Sequence, residues 1–310
     1  MPSRDNGDAR IALPADFDFG WVLGFLAART VASLETIRDR AYHRSVRVNG
    51  KAVTLTLTEV VPGASVAGGR GQRMLVARSH PRLPAGVLEG AVRRMLDLDV
   101  DLVRFHRLAR RDTILAAIVR RRSGIRLPQL LDPFEGLTRA ILGQQVSVAG
   151  ASTITDRLVR LFSHPAPGAR NAGFLAFPTP ADVAEAGADR LRGLGLTRTR
   201  AATLAGAAQR IADGALDLER LRTVPADEAQ AALEELPGIG PWTASYVRMR
   251  ALGDRDAFPS ADLGVIKAMQ AAGVARQSIL DVADRWRPWR GYATLHLWAS
   301  AADGRCCPES

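Results

Sequence analysis

The chain has 310 residues, 47% of them apolar and 24% charged. That balance excludes a disordered polar tract or a fibrous repeat, and leaves room for one large domain or two to three smaller ones. Its formal net charge of +10 points to a polyanionic partner, nucleic acid first among them. Lys occurs only at Lys51 and Lys267, so 40 of the 42 basic residues are Arg. Arg is the fork-shaped donor that suits phosphates, although a genome that writes Arg for Lys produces the same ratio. No run of 18 uncharged apolar residues exists, so no membrane-spanning helix is predicted. Residues 1–10 are polar and lack the apolar stretch of a signal peptide. The adjacent Cys306 and Cys307 are too few for a four-thiolate iron–sulfur cluster. A cytoplasmic, nucleoid-associated protein is the expectation.

Residues 1–10 read as a disordered lead. Residues 11–84 read as an α+β amino-terminal domain with a small antiparallel sheet. Within it, residues 17–27 are apolar and fit a strand or a helix. Val31, Leu34 and Ile37 give residues 30–42 a helical spacing. Residues 45–48 and 53–57 alternate around Asn49-Gly50, a strong hairpin signal. Residues 61–71 are rich in Gly and Pro, and 73–78 (RMLVAR) fit another strand. From 85 to 310 strand signals almost vanish. Helices are predicted at 88–98, 101–109, 111–121, 133–146, 149–162, 180–187, 199–214, 225–236, 241–252, 261–271, 278–286 and 293–299. Several open on Asp132-Pro133, Thr179-Pro180 or Gly240-Pro241. Short helices joined by short links predict a two-lobed all-α region with a cleft.

Four features in that region carry chemistry. Helix 226–235, the turn Leu236-Pro237-Gly238-Ile239-Gly240 and the helix after it form a helix–hairpin–helix pattern. Gly238 and Gly240 permit positive φ and close backbone approach. The amides that open the second helix can then grip a phosphate. An ordinary αα-corner would use the same glycines for packing alone. Asp262 opens another helix twenty positions after Trp242; it is either an N-cap alone or a lone functional carboxylate. Trp242 and Tyr246 share a helix face, and Trp298 lies near the chain end, whereas Trp286 and Trp289 read as core. Gln144 and Gln145 interrupt an apolar run, and either mark a helix end or reach toward bases in a duplex gap.

Five strings in order carry a resemblance over residues 13–298. They are FGWVLGFLAARTVASLETI (19–37), ILGQQVSV (141–148), LRGLGLTRTRAATLAGAA (191–208), LPGIGPWTASY (236–246) and RWRPWRGYATLHLW (285–298). Together they resemble the helix–hairpin–helix DNA glycosylases, most closely the bacterial 3-methyladenine-DNA glycosylase II (AlkA-like) family. The resemblance implies an amino-terminal domain like one half of the TATA-binding protein fold, then a two-lobed glycosylase domain with its hairpin at about 226–252. By alignment Asp262 takes the place of the catalytic acid, and Trp242, Tyr246 and Trp298 line the pocket for a flipped base. Pro237, Gly238, Ile239 and Gly240 form the phosphate grip. The backbone carbonyls of Glu234, Leu236 and Ile239 fall where the family holds a monovalent cation; no cofactor is required.

Gln145, with Gln144 beside it, falls where relatives insert an apolar Leu wedge into the gap left by the extruded nucleotide. Ala261 stands where some relatives carry a second acid. Relatives that also nick the strand place a Lys nucleophile two residues after the second hairpin Gly, and that position is Trp242. The implied activity is monofunctional hydrolysis of alkylated, cationic purines such as 3-methyladenine and 7-methylguanine from double-stranded DNA, by a monomer. The alternatives are a non-catalytic helix–hairpin–helix damage sensor and an oxidised-purine glycosylase.

Overall fold

A computed structural model describes residues 8–61, 72–167 and 173–303. The segment 1–7, the Gly/Pro-rich stretch 62–71 and the Cys306–Cys307 pair lie outside the described residues.

Five antiparallel strands form one sheet in the order β1-β5-β4-β3-β2. They are β1 (Ala9–Ala12), β2 (Glu35–Arg38), β3 (Ala41–Val48), β4 (Lys51–Val60) and β5 (Met74–His80). The Asn49-Gly50 turn is as expected: Val48 pairs with Lys51, and both turn residues have positive φ, 48° and 77°. Two expectations fail. β1 begins at Ala9, inside the stretch read as a disordered lead, because it adds an edge to β5. Residues 30–42 are not a helix. Leu34 and Glu35 close a turn on the Val31 carbonyl, then β2 pairs with β3 across Asp39-Arg40, both left-handed at φ 50° and 57°. Arg is no typical turn former, so the hairpin left little local signal, and strand pairing overrode the three-residue spacing.

Helix α1 (Phe19–Ala27) resolves the ambiguity of 17–27; the Asp18 carboxylate caps it by accepting from the Trp21 N–H at 2.8 Å. After the sheet come α2 (Ala85–Met95), α3 (Val103–Ala109), α4 (Leu115–Arg121), α5 (Pro133–Leu142) and α6 (Val148–Phe162). Then follow α7 (Pro180–Arg192), α8 (Arg198–Ala212), α9 (Ala226–Glu234), α10 (Pro241–Val247), α11 (Leu263–Ala271), α12 (Ile279–Asp284) and α13 (Arg290–Ala302). The expected stop at Gly187 is a kink (φ 67°) inside α7. Helix α10 continues as a π-helical turn over Arg248–Leu252. Among the described residues no helix is long and apolar enough to cross a membrane.

Two apolar cores result. One joins the sheet, α1 to α4 and α11 to α13, with Tyr42, Phe105, Trp286 and Tyr292 fully buried in it. The other joins α5 to α10, with Val31 and Leu34 reaching into it. The chain therefore does not divide its cores at residue 84: α2 to α4 pack with the sheet, and the last three helices return to the same core.

A buried ionic cluster ties the cores together. The Arg44 guanidinium from β3 donates to both oxygens of Glu135 on α5, at 2.8 and 2.7 Å. Arg139, one turn further along α5, donates to Glu35 of β2 at 2.7 Å, and the Tyr42 hydroxyl donates to the same Glu35. Burial alone would push the Glu35 carboxyl up; Arg139 and Arg44 outweigh it and hold it below the usual carboxylate range. Removing one partner of such a set costs about 3–5 kcal/mol, because it strands a desolvated charge.

Candidate active site

The sequence-predicted residues Asp262, Trp242, Tyr246 and Trp298 meet at the joint between the two cores. Trp242 and Tyr246 ride on α10, with Tyr246 packed against the second core. Asp262 caps α11 and Trp298 rides on α13, with Trp298 packed against the first core. All four side chains are half-buried.

Asp262 is the centre of this cluster. Its Oδ1 accepts from the backbone N–H groups of Gly264 at 2.9 Å and Val265 at 3.1 Å, the usual work of an N-cap. The Trp298 indole N–H also donates to Oδ1, at 2.8 Å. The Trp242 indole N–H donates to Oδ2, at 3.2 Å. Capping and a functional role are therefore not alternatives here. Oδ1 holds the helix and one indole, while Oδ2 carries a single donor and keeps acceptor capacity on its open side.

The rings form one continuous set. Trp242 and Tyr246 stack with centroids 5.5 Å apart and planes at 26°, and Tyr246 meets Trp298 at 6.2 Å and 42°. The helical spacing of four residues puts the first pair on one face of α10. The second contact joins positions 52 residues apart and depends on the packing of the cores. By contrast, Trp286 is fully buried and its indole N–H donates to Asp112 at 2.8 Å. Trp289 packs edge-on against Tyr292.

Sequence reasoning missed two residues of this neighbourhood, Phe25 near the end of α1 and Arg29 just past it. The Arg29 guanidinium carbon lies 3.8 Å from the Phe25 ring centroid and 5.8 Å from that of Trp298. Burial lowers the pKa of Arg29, against the pull of Tyr246 and Asp262. The buried Arg250 lies 4.7 Å from the same Phe25 ring, and burial brings its pKa down to about 10. The only available signal was the i, i+4 placement of Phe25 and Arg29, which reads equally well as a helix surface.

The hairpin lies directly before α10. Leu236 and Ile239 are buried in the second core, while Pro237, Gly238 and Gly240 are exposed at the turn. Gly238 has φ +87°, and a Cβ there would sit 2.0 Å from Thr203 Oγ1, whose hydroxyl donates to the Pro237 carbonyl at 2.8 Å. Glycine is therefore required twice, by conformation and by space. Gly240 caps α10 with Pro241 behind it, and no cap side chain bonds the N–H groups of the first turn. The carbonyls of Glu234, Leu236 and Ile239 lie at and beyond the C-terminus of α9, and the Leu236 carbonyl already accepts from the Ile239 N–H at 3.0 Å. Its second lone pair, and the negative end of the α9 dipole, suit a monovalent cation. Among the described residues no group of three or more His, Cys, Asp or Glu stands together as a metal site.

The two glutamines separate. Gln145 is exposed in the α5–α6 turn, in the left-handed region at φ 56°. Gln144 does not reach outward as expected of a wedge. Its amide donates to the Gly238 carbonyl and to Thr243 Oγ1, both at 3.0 Å, because the end of α5 packs beside the hairpin. It ties the turn that carries Gln145 to the hairpin.

Comparison with known proteins fits this geometry. The AlkA N-terminal domain model matches residues 9–132, and the HhH-GPD superfamily base excision DNA repair protein model matches 138–283. DNA-3-methyladenine glycosylase 2 of Escherichia coli is 35% identical over 295 residues, covering 91% of this chain and 93% of that protein. The probable bifunctional transcriptional activator/DNA repair enzyme AlkA of Mycobacterium tuberculosis is 35% identical over 94% of this chain, which spans only 56% of that longer relative. The fold superposes on a 3-methyladenine DNA-glycosylase from Archaeoglobus fulgidus with TM-score 0.78, at 22% identity, covering 94% of this chain and 98% of that one. With both halves matched in order and the hairpin, the carboxylate and the three rings in one place, the chain belongs to the AlkA-like branch of the HhH-GPD base excision repair superfamily.

Proposed function

We propose that this protein is a monofunctional DNA glycosylase that excises cationic, alkylated purines such as 3-methyladenine and 7-methylguanine from duplex DNA, acting in base excision repair as a monomer. The observation that carries the reading is the Asp262 carboxylate tethered by the indoles of Trp242 and Trp298, with Tyr246 completing the aromatic set.

The chemistry follows from those residues. The hairpin amides and surrounding arginines bind phosphates without reading sequence. A damaged nucleotide leaves the stack at a cost of a few kcal/mol, less than for an intact pair. Gln145, exposed in the α5–α6 turn, enters the gap. There it offers hydrogen bonds to the orphan base rather than an apolar stack. The base sits against Trp242, Tyr246 and Trp298, whose electron-rich faces favour a cation by about 0.5–2 kcal/mol. Because a cationic base leaves readily, no strong general acid is needed. The C1′–N bond breaks with its electron pair going to the base, and the sugar becomes oxocarbenium-like. Oδ2 of Asp262 stabilises that charge and orients the water whose oxygen attacks C1′. The Asp262 carboxylate takes the water's proton as the C1′–O bond forms and passes it to solvent, leaving a free base and an abasic site.

With Trp242 where a nucleophilic Lys would stand, no Schiff base forms and the strand is not nicked. A monovalent cation on the carbonyls of Glu234, Leu236 and Ile239 would brace the turn against phosphate. Replacing potassium by a bulky organic cation would then weaken duplex binding at constant ionic strength.

The deciding experiment incubates the protein with methylated duplex and analyses both released bases and strand length. Free methylpurines with intact strands support the reading. Binding without release would leave a damage sensor, and release of oxidised guanine with strand nicking would make it an oxidised-purine enzyme.

A further inference from the structure

Seven arginines and one acid occupy residues 104–122, a density matched nowhere else in the chain. Arg104 and Arg107 lie on α3, Arg111 just after it, and Arg285 at the end of α12, and together they line a cleft of about 460 Å³. All four are exposed, and none makes an ion pair among the described residues. The acid in the cleft, Asp112, forms no ion pair with them among the described residues. Its Oδ1 accepts from the N–H groups of Ile114 and Leu115, each at 2.9 Å, and its Oδ2 from the Trp286 indole at 2.8 Å. Elsewhere many arginines are paired, as Arg44, Arg139, Arg255 and Arg290 are.

The cleft is separate from the carboxylate and its rings. α3 packs Phe105 against Trp289, the N-cap of α13, and against Tyr292 and His296 within that helix, with centroids 5.5–6.0 Å apart. At 3.6 residues per turn, Trp298 lies about 120–180° around α13 from those three. The arginines therefore sit on the other side of α13 from Asp262.

We infer that this cleft is a second DNA-backbone site, which holds phosphates of duplex outside the segment presented to Asp262. Four unpaired like charges in one cleft repel one another, and an anion relieves that cost. Guanidinium forks match phosphate oxygens bidentately. Arg104, Arg107 and Arg111 recur at three and four residues, which makes a stripe suited to successive phosphates rather than to one compact ion. The lining has one apolar side chain, Leu108, and so lacks the apolar centre that a protein partner needs. The inference uses DNA as the partner, as the proposed function does, but does not need the chemistry at Asp262.

The test uses the full chain with Arg104, Arg107 and Arg111 all changed to Ser, and a second variant with all three changed to Lys. Binding is measured against salt on undamaged duplexes of about 40 and about 12 base pairs. The Ser variant should lose about 2–3 units of slope in log K against log salt, and roughly tenfold or more in affinity, on the long duplex only. The Lys variant should keep the slope, which separates lost charge from damaged folding. Short-duplex binding, and base release from a methylated duplex of the same short length, should match the parent protein. Equal slopes for parent and Ser variant on the long duplex would overturn the inference. So would loss of inorganic pyrophosphate binding with long-duplex binding intact, since the cleft would then serve small anions. Absence of base release with the slope change present would count against the proposed chemistry and leave the second site standing.

Discussion

Replacing Asp262 with Asn removes one charge and little else. Asn caps helices as well as Asp, so its Oδ1 can keep the bonds from Gly264, Val265 and the Trp298 indole. Its amide nitrogen then faces the Trp242 indole N–H, where Oδ2 now accepts at 3.2 Å. Two donors meet, and the loss in this half-exposed place is about 1–2 kcal/mol of stability. The kinetic effect is larger. A carboxylate about 4 Å from a developing sugar cation, at an effective dielectric near 20, contributes about 4 kcal/mol. That corresponds to roughly a thousandfold in rate. Single-turnover release of 3-methyladenine should fall by about that factor, while affinity for duplex carrying an abasic analogue changes by less than about threefold. A folded variant that releases base within tenfold of the parent rate would refute the electrostatic role.

Three further outcomes follow from particular contacts. Changing Gly264 to Ala places a Cβ 3.0 Å from Trp298 Cδ1 and 3.1 Å from Asp262 Oδ1. The indole must yield, and loss of its bond of about 1–1.5 kcal/mol should slow base release roughly tenfold with Tm unchanged or raised. Gly238→Ala forces φ +87° on a residue with a Cβ and drives it into Thr203. Fluorescence anisotropy on undamaged duplex should show about tenfold weaker binding or worse, with the rate from the bound complex preserved. His296 is fully buried, and burial first, with His106 second, brings its pKa down to about 3 from 6.5. The unfolded chain binds this proton sooner, so the stability is complete above about 6.5 and is lost as pH falls. Urea unfolding at pH 4.5 should show a deficit of about 3 kcal/mol that His296→Leu abolishes; identical pH profiles would exclude the effect.

What the sequence made legible was local. Asn49-Gly50 announced its hairpin, proline and capping residues announced α5, α7 and α10, and Leu236–Gly240 announced the turn before Trp242. The candidate site was legible as residue types because Trp242, Tyr246 and Trp298 stand in recognisable strings and Asp262 opens a helix twenty positions after Trp242. Their joining was not. The bonds that seat the carboxylate span 20 and 36 residues, and the rings come from two different cores. Strand β2 was hidden because its partner and its Asp39-Arg40 turn outweigh a spacing that also suits a helix. Phe25 and Arg29 were hidden because a helix surface residue and a site residue look alike until another element covers them. Gln144 was misread for the same reason, since the hairpin that takes its amide is 94 positions away.

The two indole tethers on Asp262 make recognition and reaction one mechanical unit. In the proposed reaction, a nucleobase of the wrong outline that wedged Trp242 or Trp298 aside would also slacken the anchoring of the anion that faces the sugar. Under the proposed function, fidelity would then need no separate checkpoint, since a poorly seated guest would disarm the carboxylate by the act of entering.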